Sequence, residues 1–322
     1  MTRVAAIDCG TNSIRLLVAD VDLAAGTLVD VDRRMEVVRL GQGVDRTGRI
    51  APEALERTLT AARGYAQVCT DLGVEHVRFV ATSASRDAEN RQDFVDGVRA
   101  VLGVEPEVVG GEEEATLSFR GATGVLAGRH PGPFLVVDLG GGSTELVLGT
   151  TSVVAAASMD VGCVRLTERH LHGDPPTPAE IAAASADVSA ALDAAGALVP
   201  LGRTATLVGL AGSVTTVTAH ALDLDAYQPH RIDGAVLPVD RVLGSCRTLL
   251  GMSRARRARE PYMHPGRVDV IGAGALVWSD VVTRVRAEVA RAGGRLSTVV
   301  TSEHDILDGI AWSAAERATL PA

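Results

Sequence analysis

Lysine is missing altogether: the 31 basic residues of this 322-residue chain are all arginine. That excludes chemistry built on a P-loop lysine, a Schiff-base lysine or the lysine of a protein kinase. Surplus positive charge is missing too, since 40 acidic residues leave a formal charge of −9. Sequence-independent nucleic-acid binding needs a broad basic face, so no nucleic-acid partner is expected and any anionic substrate must be held locally. Cysteine is confined to Cys9, Cys69, Cys163 and Cys246, with no CxxC pair and no histidines at zinc-ligand spacing. Reduced thiols in a cytoplasmic protein are the expectation. The amino terminus reaches a polar loop after a few apolar residues, so no secretory signal core is expected. No uninterrupted apolar run reaches the roughly 18 residues of a membrane span, so no membrane association is expected either.

What is present is the composition of a globular α/β protein long enough for two domains, with 46% hydrophobic residues. Val4–Asp8, Ile14–Val21 and Leu28–Leu40 read as β-branched strands separated by turn residues, which predicts an antiparallel meander. Helices are predicted over Pro52–Leu72, Asp87–Leu102 and Glu112–Gly121, with strands at His76–Thr82 and Glu107–Val109. A Gly/Pro-rich stretch at Leu126–Pro133 then marks a boundary, after which the opening pattern returns. Ile7-Asp8-Cys9-Gly10-Thr11-Asn12-Ser13 aligns with Val137-Asp138-Leu139-Gly140-Gly141-Gly142-Ser143 at a constant offset of 130 residues. A period of that size is a domain rather than a solenoid repeat, and predicts two similarly built α/β halves. Further on, helices are expected over Cys163–Leu171, Pro178–Leu198, Ser213–Leu222, Val239–Leu250, Val268–Arg291 and Asp305–Arg317.

Each repeated unit ends a strand on Asp and turns through glycine and small polar residues. Such turns bring several N–H groups into one concavity and suit a phosphate. The candidates are Gly10, Thr11, Asn12 and Ser13 in the first turn and Gly140, Gly141, Gly142 and Ser143 in the second. Either turn alone reads equally as a plain hairpin; the matched pair favours phosphate. A carboxylate facing phosphate needs a cation between them, so Asp8 and Asp138 imply a divalent metal, Mg²⁺ or Mn²⁺. A third glycine turn at Gly212 and Ser213 enters a helix, either as a further anion site or as an ordinary helix cap.

These motifs, with Ala81-Thr82-Ser83-Ala84-Ser85-Arg86, Gly111-Glu112-Glu113-Glu114-Ala115 and Gly162-Cys163-Val164-Arg165-Leu166, closely resemble the exopolyphosphatase/guanosine pentaphosphate phosphohydrolase (Ppx/GppA) family of the sugar kinase/Hsp70/actin superfamily. The resemblance covers essentially the whole chain. It implies two actin-like (ribonuclease H-like) domains, 1–125 with a closing segment 304–322 and 126–303, with the active site in a cleft between them. It implies hydrolysis of the terminal phosphoanhydride of inorganic polyphosphate with release of orthophosphate. Glu114 would activate the water, Arg15 and Arg86 would hold phosphate, and Glu145 would join Asp138 at the metal. Glu113 is the neighbouring suspect for the base. The short chain, without the appended domains of long family members, leans toward short polyphosphate. Hydrolysis of pppGpp is the same-class alternative, and a non-hydrolytic nucleotide-binding sensor the alternative of another class. A homodimer is expected. The family's Leu-Arg-x-Gly at the closing helix is here Ile306-Leu307-Asp308-Gly309, so no arginine is expected from that helix. Arg254, Arg256, Arg257, Arg259 and Arg267 form a basic run, either a guide for a polyanion or a solvated face.

Overall fold

The computed structural model describes residues 1–319, which divide into two compact units. The division falls after Gly121 and again between Asp305 and Ile306, so the closing helix belongs with the first unit. Residues 320–322 of the closing segment lie outside the described residues.

In unit 1, β1 (Thr2–Cys9), β2 (Ser13–Asp22) and β3 (Thr27–Val37) form the expected antiparallel meander. Past α1 (Val44–Thr47) and α2 (Pro52–Asp71), β4 (His76–Ala81) pairs parallel with β1. Then come α3 (Ser83–Asp87), α4 (Arg91–Leu102), the short β5 (Glu107–Val108) beside β4, and α5 (Gly111–Leu126). The sheet order is β3-β2-β1-β4-β5. Strand alternation sends Ala5, Ile7 and Cys9 to a core with Ala61, Tyr65 and Phe94. Val4 and Ala6 face the other way, onto Leu117 and onto Ile310, Ala311 and Ala314 of the closing helix.

The helix predicted over Asp87–Leu102 begins only at Arg91, and three residues separate it from the end of α3 at Asp87. Ala88 is extended, and the Asn90 side chain accepts from Ile50 N at 2.8 Å and donates to Ile50 O at 3.1 Å. Pairing with a backbone 40 residues away outcompetes helix continuation there.

Unit 2 repeats the plan. The meander is β6 (Phe134–Leu139), β7 (Thr144–Gly149) and β8 (Val153–Met159). After α6 (Cys163–His170) and α7 (Pro178–Leu198), β9 (Thr206–Leu210) pairs parallel with β6. Next come α8 (Ala211–Ala221), α9 (Pro229–Ile232), β10 (Val236–Pro238), α10 (Val239–Gly251), α11 (Arg254–Arg257) and α12 (Ile271–Arg291). β11 (Thr298–Thr301) pairs with β9, and α13 (Ile306–Ala318) closes unit 1. The order β10-β11-β9-β6-β7-β8 is that of unit 1 with one added edge strand.

α7 is entered through a capping box, Thr177 Oγ1 accepting from Glu180 N while the Glu180 carboxylate accepts from Thr177 N. Contrary to the expectation of no candidate span, α7 is long and apolar enough by length and composition to cross a membrane, with mean hydropathy 1.3. That value comes from alanine, and the helix packs Ala184, Val188, Leu192 and Ala195 onto the unit 2 core.

Gly272 and Gly274 do not interrupt α12. They admit close neighbours: a Cβ at Gly272 would lie 2.5 Å from Arg257 Nη2, and one at Gly274 would lie 2.6 Å from Ser213 Cβ.

Candidate active site

The two repeated turns are built alike. Gly10 N donates to Ser13 O at 3.0 Å, and Gly140 N donates to Ser143 O at 3.0 Å. In each, the loop carbonyls are fastened from behind. Thr11 O accepts from Gly41 N at 2.9 Å, and Asn12 O accepts from Val38 N and Arg39 N at 3.1 and 2.8 Å. In unit 2 the start of α6 does this work: Cys163 N donates to Gly140 O at 3.0 Å, and Val164 N and Arg165 N donate to Gly141 O at 2.9 and 3.1 Å. Arg165 Nε adds a bond to Gly142 O at 2.7 Å. With the carbonyls held back, the N–H groups of Thr11, Asn12, Gly141 and Gly142 have no acceptor among the described residues. Such main-chain donors are of the kind that can bind an anion without lysine.

Close approach enforces this geometry. A Cβ at Gly162 would run into the Gly141 carbonyl, and one at Gly41 would overlap Thr11 Cγ2, so neither Gly41 nor Gly162 has room for a side chain. Gly41 carried no motif in the sequence and was missed. Side chains complete the first turn. Thr11 Oγ1 is 2.8 Å from Ser83 Oγ, and the Asn12 amide oxygen is buried without a partner. Turning that amide over would offer two further donors.

The strand-end acids differ between the units. Asp8 is the register partner of Arg15, whose Nη2 and Nε lie 2.6 and 3.0 Å from Asp8 Oδ2. Asp138 is instead the partner of Glu145. Residues directly opposed across antiparallel strands share a face, with Cβ atoms about 4.5–5.5 Å apart. Both acids are buried, and Glu145 Oε1 accepts from Ser158 Oγ at 2.8 Å. Two hard-oxygen carboxylates side by side fit a divalent cation that takes its remaining ligands from water and substrate phosphate. Among the described residues no group of three or more His, Cys, Asp and Glu could hold a metal. Asp8, expected at the metal, has Arg15 as its counter-ion, and Arg15, expected at phosphate, is ion-paired with Asp8.

The acidic segment separates two suspects that are adjacent in sequence. Glu114 is buried, and its Oε2 accepts from Arg86 Nη1 at 3.1 Å; the same nitrogen donates to Val109 O at 3.1 Å. Arg86 thus touches the acid expected as base while being expected at phosphate. Glu113 turns elsewhere, its Oε1 2.6 Å from Arg78 Nη2, in a cluster with Glu107. Consecutive helix positions do not face the same way, so only one of the two can serve one site.

The third turn enters α8 through Ala211 at φ 66°. Gly212 packs against the Arg267 guanidinium, which a Cβ there would approach to 2.5 Å. Arg267 Nη1 donates to Thr216 Oγ1 at 3.2 Å, and the guanidinium lies 5.8 Å from the Tyr227 ring centroid. The Tyr227 hydroxyl lies 2.8 Å from Thr215 Oγ1 and 2.6 Å from Glu303 Oε1. Burial raises the Glu303 carboxyl above its ordinary range, against the pull of the Tyr227 hydrogen bond and the Arg267 charge. The basic run had pointed at Arg267 only as one of five; Tyr227 and Glu303 carried no motif. Ser213 sits beneath Gly274 beside Cys163. Burial raises the Cys163 thiol, which makes it a neutral spacer between the second and third turns rather than a nucleophile.

Leu307 stands where the resemblance places an arginine. The buried Asp308 beside it is met from β3, with Arg33 Nη2 at 2.6 Å from Oδ1.

The sequence profile of the Ppx/GppA phosphatase family matches residues 17–300. Exopolyphosphatase 2 of Mycobacterium tuberculosis is 53% identical over 98% of this chain and 99% of its own. A crystal structure of an exopolyphosphatase-like protein superposes with TM-score 0.95 at 47% identity, covering 98% of this chain and all of that one. The Aquifex aeolicus Ppx-GppA enzyme does so with TM-score 0.78 at 29% identity, covering 97% and 99%.

Proposed function

Because the chain belongs to the Ppx/GppA phosphatase family, we propose that it is an exopolyphosphatase, releasing orthophosphate from the end of inorganic polyphosphate in the cytoplasm. The observation that carries this reading is the pair of matched turns whose main-chain N–H groups have no acceptor among the described residues, one of them beside the Asp138–Glu145 pair. A linear chain of phosphates offers what such turns recognise, many equivalent oxyanions and no base or sugar.

In this reading the Gly141 and Gly142 N–H groups of unit 2 bind phosphate oxygens at their own turn, as do the Thr11 and Asn12 N–H groups of unit 1 at theirs. Asp138 and Glu145 would hold Mg²⁺, which supplies charge neutralisation on the phosphate oxygens. Glu114 takes a proton from water as the oxygen bonds to the terminal phosphorus. The bridging P–O bond breaks, the shortened chain leaves with its electron pair, and orthophosphate carries the new oxygen. Arg86 orients the Glu114 carboxylate through Oε2 and binds phosphate with its remaining donors.

The test is phosphate release measured side by side on tripolyphosphate, long polyphosphate, pppGpp and ATP with Mg²⁺. Release from both polyphosphates without an added acceptor is expected. Release from pppGpp alone would replace the substrate assignment, and no release from any of the four would leave a nucleotide-binding sensor.

A further inference from the structure

Arg284 and Arg286 of unit 2 end on carboxylates. Arg129, Arg203, Arg231, Arg247 and Arg295 are exposed without an ion pair among the described residues, but they are scattered along the chain, whereas Arg254, Arg256 and Arg259, equally exposed and without an ion pair among the described residues, fall within six residues. Two acids border them, and both are engaged. Asp174 Oδ1 accepts the Arg254 backbone N–H at 2.7 Å, and Glu260 Oε2 accepts from the Tyr262 hydroxyl at 3.3 Å. In a chain of net charge −9, three unpaired guanidiniums within six residues run against the overall field.

The fourth arginine of the run explains why the others face outward. Arg257 is buried, its Nε 2.9 Å from Leu249 O, its Nη2 3.0 Å from Leu250 O and its Nη1 3.4 Å from Val268 O. It fastens α11 to the end of α10 and to the residue that follows Arg267, the arginine lying on the third glycine turn. Arg267 apart, the basic run is therefore two things: one structural anchor and three exposed charges tethered beside that turn.

We propose that Arg254, Arg256 and Arg259 form a secondary site for the unreacted length of a polyphosphate chain. The proposal rests on the exopolyphosphatase reading and extends it to chain-length selectivity. The chemistry favours a bare phosphate chain over single-stranded nucleic acid. No aromatic residue occurs between Arg247 and Glu260, and Tyr262 beyond it is buried, so the segment has no stacking platform for bases. Guanidiniums without carboxylate partners gain most from a multivalent anion, each contact adding to avidity and to salt dependence.

The experiment compares the intact wild-type protein with the triple variant Arg254→Ser, Arg256→Ser, Arg259→Ser and with the triple Lys variant, on tripolyphosphate and on long polyphosphate over a salt series. For the Ser variant, KM for long polyphosphate should rise about 5–10-fold, and the slope of log KM against log salt should flatten by about 1–2. Its tripolyphosphate kinetics should stay within about twofold of wild type, and the Lys variant should recover most of the long-chain effect. Unchanged long-chain KM and salt slope, or an equal loss on both substrates, overturns the proposal. If the wild type hydrolyses neither substrate, the activity reading fails, and equilibrium binding of long polyphosphate decides the site separately. Weaker, less salt-dependent binding by the Ser variant supports it. Equal binding, or loss of an RNA oligonucleotide but not of polyphosphate, overturns it.

Discussion

Glu145 stands opposite Asp138 across β6 and β7, at the position where the first unit places Arg15 opposite Asp8. One change of sign at corresponding positions separates an internal ion pair from a pair of acids. This makes unit 2 the side on which a cation is expected, and gives the first prediction. Glu145→Gln keeps the shape and the acceptor for Ser158 but removes one charge. Mg²⁺ should raise the Tm of the wild type, and that rise should shrink in the variant, with at least about tenfold weaker Mg²⁺ binding by calorimetry. An unaltered Mg²⁺ titration would place the metal elsewhere.

Glu114 and Glu113 are distinguished by their partners. Glu114→Gln should lower turnover about 10²–10⁴-fold with substrate binding retained. Glu113→Gln should leave turnover within a few-fold and cost at most about 1 kcal/mol of stability, since Glu113 itself is half exposed and the buried Arg78 keeps Glu107 and Ser313 as partners. Steady-state kinetics and urea unfolding of both variants check the assignment, and a reversed pattern would make Glu113 the base.

Gly162→Ala pushes a methyl group into the Gly141 carbonyl, whereas a Cβ at Gly10 meets nothing closer than Ser13 O at 3.7 Å. The first substitution should cost about 1–3 kcal/mol and displace the turn, lowering kcat/KM far more than it lowers Tm. Gly10→Ala should change stability by less than about 0.5 kcal/mol. Equal thermal shifts in the two variants would contradict the close approach.

Glu180 gives a pH signature. Backbone N–H groups of Thr177 and Gly173 hold its carboxyl at about 2, below the ordinary 4.5. A depressed folded-state value means stabilisation that is complete above about 4.5 and is lost as the pH falls toward about 2. Glu180→Gln should therefore have a lower Tm than the wild type at neutral pH, and the gap should close across that window. A gap constant between pH 7 and pH 2 would show that the bonds to Glu180 do not depend on its charge.

The duplication was legible because turn chemistry is local: a strand ending on Asp, then glycines and a serine, reads the same at Asp8 and at Asp138. The partition of the acidic segment was not, because Glu113 and Glu114 are chemically identical and only Arg78 and Arg86, brought in by β4 and α3, tell them apart. Arg267 stood out only as one of five in the basic run, for a similar reason. Its significance comes from lying on Gly212, some 55 residues earlier in the chain, and nothing in its immediate neighbours announces that contact. The split at Ala88–Asn90 was hidden likewise in a long-range bond to Ile50.

The acceptor-free donors of the two turns belong to the main chain, and their carbonyls are tied down by other main-chain groups except Gly142 O, which accepts from the Arg165 side chain. Replacing a side chain's functional group cannot delete such a donor; outside Arg165, only added bulk can move it. Damaging substitutions around these turns should then sort by volume rather than by polarity. A hydroxyl or amide exchanged for a similar-sized neighbour would be silent, while a single methyl at Gly41 or Gly162, neither of which faces substrate through a side chain, would disable the turn from behind.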